Sequence, residues 1–308
     1  MINRPLLSRC AARPLLAAFA AMSLGLASAG AQTTVRGLPP LVSPPTAERH
    51  VGKVIWHELT TADLAAAKVF YGTLFGWTFE DISGLGTAYA VARKDGQPIA
   101  GLVAGPLTGE HQQPVWLPYF SVRDVDAARQ DALSHGARAK TVTKSYAHRG
   151  RQTLLADPDG VAFGLMASSS GDPRDELALP GEWIWSSLLA RHVEADVAFY
   201  QRLFGFEAFE LEPSEGAEHA ILASEDLARA SVNSLLADAQ RRQPHWLGFL
   251  RVDDVDRVAR QATILGGRVI VEPRLDRHGS PMAVLQDPSG APVGIMEWVV
   301  GDSPGQAK

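Results

Sequence analysis

The chain has 308 residues, 46% hydrophobic and 20% charged, with a formal net charge of −5 and one cysteine. That length accommodates two ordinary domains, and the composition is that of a folded globular chain. The acidic balance, with no Lys/Arg cluster, argues against a nucleic-acid partner. No apolar run after the N-terminus is long enough to span a membrane.

The first 31 residues read as a separate object. Arg4, Arg9 and Arg13 form a positive n-region, Leu15 to Leu26 an apolar h-region, and Ala29-Gly30-Ala31 a small-residue cleavage site before Gln32. The pattern predicts a secretory signal peptide and a secreted, periplasmic protein. A retained N-terminal anchor is the alternative. Cleavage removes three arginines and no acid, which takes the charge from −5 to −8, and it removes Cys10, the only cysteine. The mature chain then has neither a disulfide nor a thiol nucleophile, so its stability must come from packing. Residues 32–50 contain Pro39, Pro40, Pro44 and Pro45 and read as an extended tether.

From residue 51 one pattern is stated twice. Val69-Phe-Tyr-Gly-Thr-Leu-Phe-Gly-Trp77 returns as Ala198-Phe-Tyr-Gln-Arg-Leu-Phe-Gly-Phe206, and Asp157-Pro-Asp-Gly160 returns as Asp287-Pro-Ser-Gly290. Trp56 maps to Trp185, and Pro114-Val-Trp-Leu maps to Pro244-His-Trp-Leu. A period this long is a domain, so the copies are expected at 51–168 and 182–299, each with its own core. A linker at 169–181 joins them, and 300–308 is a polar tail. The repeat also supplies an internal comparison: a residue present in one copy only is not required by the fold.

Within the first copy, Val54 to Thr60 reads as a strand. Asp63 is an N-cap for a helix in which Leu64, Ala67, Phe70, Tyr71, Leu74 and Phe75 recur at helical spacing, with Gly76 at its C-terminal end. Ala88 to Ala92 and Ile99 to Val103 are strands around the Lys94-Asp-Gly96 turn. The second half repeats the order: strand Trp116 to Val122, helix Val125 to Ser134, and strands Arg138 to Val142, Gln152 to Ala156 and Ala162 to Met166. Copy two places helices at Val193 to Phe204 and Val255 to Leu265. The fold class is α+β, with four β-α-β-β-β modules in two domains.

That module order, with Asp63 to Trp77 in the first helix and Asp-Pro-[Asp/Ser]-Gly near each domain's end, resembles the vicinal oxygen chelate superfamily of glyoxalases, bleomycin-resistance proteins and extradiol dioxygenases. The likeness covers about residues 53–168 and 182–298. It implies curved sheets that enclose a cleft, and in the family's enzymes a divalent metal held there by His, Gln or Glu. The implied ligand positions fall here on Trp56 and Trp185, Leu117 and Leu247, and Gly164 and Gly294. The segments for the remaining ligand, Ile99 to Gly105 and Ala230 to Leu236, contain no His, Asp or Glu, and Asn233 is the polar candidate there. Divalent metals need imidazole or carboxylate donors, so no metal and no cofactor is expected.

Strand alternation then places Glu58 beside Trp56, Ser187 beside Trp185, Tyr119 and Ser121 beside Leu117, and Phe249 and Arg251 beside Leu247. These residues line clefts that are mainly apolar with sparse polar groups, as in small-molecule sites. Alternatively the tryptophans simply fill volume. Glu58 has no counterpart in copy two. A carboxyl beside a Trp in a dry cleft can act as a general acid or base, or serve as a structural hydrogen-bond acceptor. It makes the first cleft the one expected to respond more to loss of its tryptophan. His57 faces the helix and reads as a core histidine. His148 and His278 are the histidine pair shared by the copies. They read either as cleft-mouth residues that bond an anionic ligand, helped by Arg149 or Arg277, or as inherited turn chemistry. The expected function is metal-independent binding of a small apolar or aromatic molecule. The alternatives are a metal-dependent lyase, isomerase or dioxygenase, and a protein-interaction scaffold with filled clefts.

Overall fold

The computed structural model describes residues 34–35, 37–105, 113–214, 217–235 and 243–298, so the expected signal peptide at 1–31 and the tail at 300–308 lie outside the described residues. A two-residue strand β1 (Thr34–Val35) precedes the first copy. The first module is β2 (Val54–Thr61), α1 (Leu64–Phe75), β3 (Thr78–Ile82), β4 (Tyr89–Lys94) and β5 (Gln97–Ala104). The second is β6 (Val115–Ser121), α2 (Val125–Ser134), β7 (Arg138–Ala139), β8 (Lys144–Tyr146), β9 (Gly150–Ala156) and β10 (Ala162–Ser168). The third is β11 (Trp183–Ala190), α3 (Val193–Phe204), β12 (Glu207–Ser214), β13 (Ala217–Ser224) and β14 (Leu227–Ser234). The fourth is β15 (His245–Arg251), α4 (Val255–Ile264), β16 (Arg268–Leu275), β17 (Pro281–Gln286) and β18 (Pro292–Met296).

Local chemistry sets the helices. The Asp63 carboxylate accepts the Ala66 N–H at 2.9 Å, which satisfies one of the free donors at the start of α1. Gly76 ends it in the left-handed region at φ +71, where a side chain would be strained. Asp124 and Asp254 cap α2 and α4 in the same way. The expected strand Arg138 to Val142 stops at Ala139. There the Lys140 and Thr141 N–H groups both turn to the Leu154 carbonyl, and Thr141 Oγ1 takes the Leu154 N–H at 2.9 Å, so a regular ladder cannot continue.

The described strands form two sheets. The first copy runs β1-β8-β9-β10-β6-β2-β5-β4-β3, with β7 paired to β9, and the second runs β12-β13-β14-β11-β15-β18-β17-β16. In each, two modules meet through a central antiparallel pair, β2 with β6 and β11 with β15. Each of those pairs carries a bulge at the same place, Val54/Trp56 and Trp183/Trp185. A bulge turns consecutive side chains to one face, and Ile55 and Trp56 accordingly share one cluster, as do Ile184 and Trp185.

The cores depart from expectation. The two larger cores are shared between the copies, and only the smaller clusters on the cleft faces stay on one sheet. One core joins Leu59, Phe70, Tyr71 and Trp77 of the first copy to Leu250, Val258, Ala262 and Leu285 of the second. The other joins Phe120, Val125 and Phe163 to Leu188, Tyr200, Phe204 and Trp246. First module thus packs on fourth, and second on third, helix side inward. The physical reason is that each sheet has two apolar faces, and one layer of two short helices covers only part of one.

Polar bonds tie the same pairs. Tyr71 Oη donates to Asp287 Oδ2 at 3.2 Å and accepts from Trp116 Nε1 at 2.7 Å. Tyr200 Oη donates to Asp157 Oδ2 at 2.9 Å and accepts from Trp246 Nε1 at 3.0 Å. His57 is buried at the junction, stacked on Trp183 with ring centroids 3.9 Å apart, and burial pushes its pKa down to about 3. It is a neutral core histidine, as its face on β2 implied.

The two junctions differ in charge, with Asp159 in one turn where the other has Ser289. Asp196 on α3 stands where α1 has Ala67. Burial, then the charges of Asp157 and Asp159, push the Asp196 carboxyl up to about 7. Asp157 itself rises to about 6, mainly through burial. A carboxyl that holds its proton more tightly when folded contributes stability below its unfolded value of about 4. That contribution is lost as pH rises through the folded value of about 7. Unfolding free energy should therefore fall across this window in urea titrations. Asp196→Asn should flatten the slope and raise stability at pH above the window. A slope equal to wild type in that variant would count against the assignment.

Candidate functional site

The sheet faces turned away from the helices form the two clefts. In the first, Trp56 is only 3% exposed. The fully buried Arg149 guanidinium lies over its ring at 3.9 Å, a cation–π contact. Glu58 is half-buried beside them. Its Oε2 accepts the Tyr89 hydroxyl at 2.8 Å and its Oε1 the Tyr119 hydroxyl at 3.3 Å. Burial raises the Glu58 pKa, against the opposing pull of the two tyrosine bonds and the Arg149 charge. Both readings of Glu58 therefore meet in one group: it is a structural acceptor, and it is biased toward its neutral form. Tyr119 lies where strand alternation put it. Ser121 does not serve the cleft: its hydroxyl donates to Asp172 Oδ2 at 2.5 Å.

The first cleft is already occupied. Leu38 and Leu41, each 4% exposed, pack into it with Trp56, Tyr119 and Met166. The Pro39 carbonyl accepts Arg149 Nε at 2.8 Å, and Ser170 Oγ accepts the Leu41 and Val42 N–H groups at 3.0 and 3.1 Å. Residues 37–50 are therefore no free tether. The Pro-rich run has no ladder of its own, but its leucines find an apolar face to bury.

The second cleft lacks such a cover among the described residues. Before copy two the chain offers Leu177 and Leu179, and these stay 48% and 56% exposed. Trp185 is half-buried and has no cation over it. Its Nε1 donates to Ser231 Oγ at 3.1 Å, and Ser231 Oγ lies 2.7 Å from Ser187 Oγ. Asn233 Nδ2 also reaches Ser231 Oγ at 3.1 Å, and Asn233 Oδ1 accepts from His219 Nδ1. With Nδ1 as donor, the neutral His219 ring presents a lone pair on Nε2. That atom is buried with no partner among the described residues, and burial lowers the His219 pKa. A groove of about 450 Å³ runs along the start of β11 at the mouth of this cleft, between Trp183, Ile184, Trp185 and Trp298, His57 of the first copy and Leu177 of the linker, and the Ser187, Ser231, Asn233 and His219 side chains do not line it.

Other expected site residues have local duties. Arg251 Nη1 donates to the Ala178 carbonyl at 2.7 Å and so ties the linker. His148 and His278 are both exposed. The His148 carbonyl accepts Ser169 Oγ at 2.7 Å, and the His278 N–H donates to Asp276 Oδ1 at 2.8 Å, which is turn chemistry. The inward-facing residue is Arg149, next to His148. His219 went unread because nothing in copy one matches it. Its signal was the cross-strand register that sets it opposite Asn233.

The profile of the Glyoxalase/Bleomycin resistance protein/Dioxygenase superfamily matches residues 50–165 and 185–295, both copies. The chain belongs to this superfamily. It is 31% identical over 258 residues to "Putative glyoxylase CFP32" of Mycobacterium tuberculosis, covering 82% of this chain and 98% of that protein. It is 28% identical over 259 residues to "Anthracycline biosynthesis protein DauV" of a Streptomyces species, covering 80% of this chain and 93% of that one. Among solved structures, the Mn(II)-bound glyoxalase of Novosphingobium aromaticivorans aligns over 81% of this chain and 83% of its own, with a TM-score of 0.58 at 16% identity. The 2,2',3-trihydroxybiphenyl 1,2-dioxygenase of Sphingomonas wittichii aligns over 81% and 91%, with a TM-score of 0.59 at 17% identity. At these identities the structural likeness concerns the fold.

The superfamily's metal does not fit this chain's clefts. Trp56 and Trp185, and Leu117 and Leu247, offer no donor atom of the required kind. At Gly164 and Gly294 a neighbouring ring takes the space. A Cβ on Gly164 would stand 2.2 Å from Tyr119 Cδ1, and one on Gly294 would stand 2.3 Å from Phe249 Cδ1. Among the described residues the group of acids and histidines that could share an ion is His50, Asp175 and Glu225. It lies at the linker, where Lys53 and Arg229 already pair with Asp175 at 2.8 and 2.6 Å. If the ring over the glycine is what excludes a side chain, Gly294→Ala should destabilise the protein by about 1–3 kcal/mol in urea unfolding. In a Phe249→Ala background the same change should cost little. Equal costs in both backgrounds would refute the steric account.

Proposed function

We propose that this superfamily member is exported and binds a small apolar or aromatic molecule, without metal, in the cleft of its second domain. One observation carries the choice of cleft. Trp185 is half-buried beside a groove of about 450 Å³, whereas Trp56 is buried under Arg149 and residues 37–42. The geometry thus reverses the order expected from Glu58. That volume falls within the usual range for small-molecule sites, about 300–1,000 Å³. Trp185 supplies a stacking face on the groove. The relative named for anthracycline biosynthesis supports an aromatic occupant. The n-, h- and c-region order of residues 1–31 supports export.

The two rival readings make different demands. A metal-dependent lyase, isomerase or dioxygenase needs a donor set. A scaffold with filled clefts needs no open groove. Binding of 2-naphthol, followed by calorimetry and indole quenching, separates them. Loss of stacking and ring burial is worth ~1–3 kcal/mol. Trp185→Ala should therefore weaken binding by roughly 5- to 150-fold. Trp56→Ala should leave affinity unchanged and cost about 3–5 kcal/mol of stability. No detectable binding, with Trp185→Ala purely destabilising, would favour the scaffold. Elemental analysis finding a tightly held, stoichiometric metal would favour the enzyme.

A further inference from the structure

Arg149 is the most unusual side chain outside the proposed site. It is fully buried, yet of its three nitrogens only Nε has an acceptor, the Pro39 carbonyl at 2.8 Å. Nη1 and Nη2 are buried with no hydrogen-bond partner among the described residues. The ring of Trp56 covers one face of the guanidinium but accepts none of those in-plane N–H groups. Burying donors without acceptors is costly, and a guanidinium is satisfied best by an oxyanion that takes two parallel N–H bonds. The facing acid does not fill that role. Glu58 is engaged by Tyr89 and Tyr119, and burial opposes its ionisation.

We propose that the first-domain cleft is a second, latent site for a small monoanion with an apolar body, a carboxylate being the simplest, held closed by the chain's own residues 37–42. The Pro39 carbonyl stands in for the anionic oxygen, and Leu38 and Leu41 for the apolar body. Here the Pro39 carbonyl takes one guanidinium N–H where a carboxylate can take two in parallel, so the segment is an imperfect occupant. Its polar hold on the cleft wall is slight: beyond Pro39, the Leu41 and Val42 N–H groups share one acceptor, Ser170 Oγ. The chain is fixed again only from Thr46, whose N–H bonds the Ser170 carbonyl at 2.8 Å, and His50, whose N–H bonds Asp172 at 2.7 Å. Residues 37–42 can therefore leave while the rest of the segment stays docked. This site does not depend on the second cleft, where the position of Glu58 is held by Ser187 and no arginine covers the tryptophan.

The probe is hexanoate, with hexanamide as its uncharged control, titrated calorimetrically into the whole mature chain. Leu38→Ser/Leu41→Ser weakens the closing segment, and hexanoate affinity should rise about tenfold as the competent population grows. Adding Arg149→Gln should remove that gain, and hexanamide should show none. Should the double variant fold poorly, hydrogen exchange on the unaltered protein decides: hexanoate should speed exchange at the Leu41 and Val42 amides. Exchange indifferent to hexanoate, or an affinity indifferent to both the segment and Arg149, overturns the proposal. Trp185→Ala should leave all these responses intact, so the outcome is separable from that of the second cleft.

Discussion

Two tyrosine hydroxyls decide how this molecule is put together. Each sits in a dry core, accepts an indole N–H from its own copy and donates to an aspartate of the other. The aspartates also hold their own turns: Asp157 Oδ1 accepts the Val161 N–H, and Asp287 Oδ1 accepts the Ser289 and Ala291 N–H groups. A turn in one copy and a helix in the other are therefore satisfied by the same carboxylate. Pulled apart, either copy would leave a tyrosine O–H without its acceptor beside an uncovered apolar face. The duplication yields an obligate pair of domains, and it spends the helix side of both sheets on their union. What remains for ligands is the opposite face of each sheet.

Because the union is nearly symmetric, the clefts are free to differ. The first holds Glu58, Tyr89, Tyr119 and Arg149, a charged set that needs cover, and residues 37–42 provide it. The second holds Ser187, Ser231, Asn233 and His219, a neutral chain of hydrogen bonds that ends on a buried imidazole nitrogen with no partner among the described residues. A guanidinium over an indole gains most when water is excluded, and the neutral track of the second cleft is buried as well, with Ser187, Ser231 and His219 at 7%, 2% and 9% exposure. Closure of the first cleft over Arg149 follows from these electrostatics.

Much of the fold was legible because its signals are local. Asp63 capping α1 and Gly76 ending it depend on residues within one turn, and both appear as read. The Phe-Tyr and Asp-Pro motifs were legible as a family signature but not as physics, since Tyr71 and Asp287 meet only after the copies dock. The shared cores were hidden for the same reason. Residues 37–42 were misjudged by composition: prolines announce extended backbone, but Leu38 and Leu41 within that run were the apolar signal. The site was harder still. Comparing copies isolates what both retain, and what both retain turned out to be fold: His148 and His278 are exposed turn residues. Arg149 and His219, each present once, carry the distinctive chemistry, and a search for matches discards them.

The ring that lies across each last-strand glycine shows how the clefts diverged without loss of packing. Tyr119 covers Gly164 and Phe249 covers Gly294 in the same way. The rings differ by one hydroxyl, and the neighbouring strand differs to suit. Where the ring is tyrosine, the hydroxyl donates to Glu58; where it is phenylalanine, the position of Glu58 is Ser187, which bonds Ser231 instead. Removing a buried donor alone would strand the carboxyl, and removing the acceptor alone would strand the hydroxyl. Changing both together still leaves the Tyr89 hydroxyl without its Glu58 acceptor, so that position must change too, and where the first sheet sets Tyr89 opposite Val103 the second sets His219 opposite Asn233. Coordinated change at these positions therefore turns a carboxyl-bearing cleft into a neutral one while the ring over the last-strand glycine is kept.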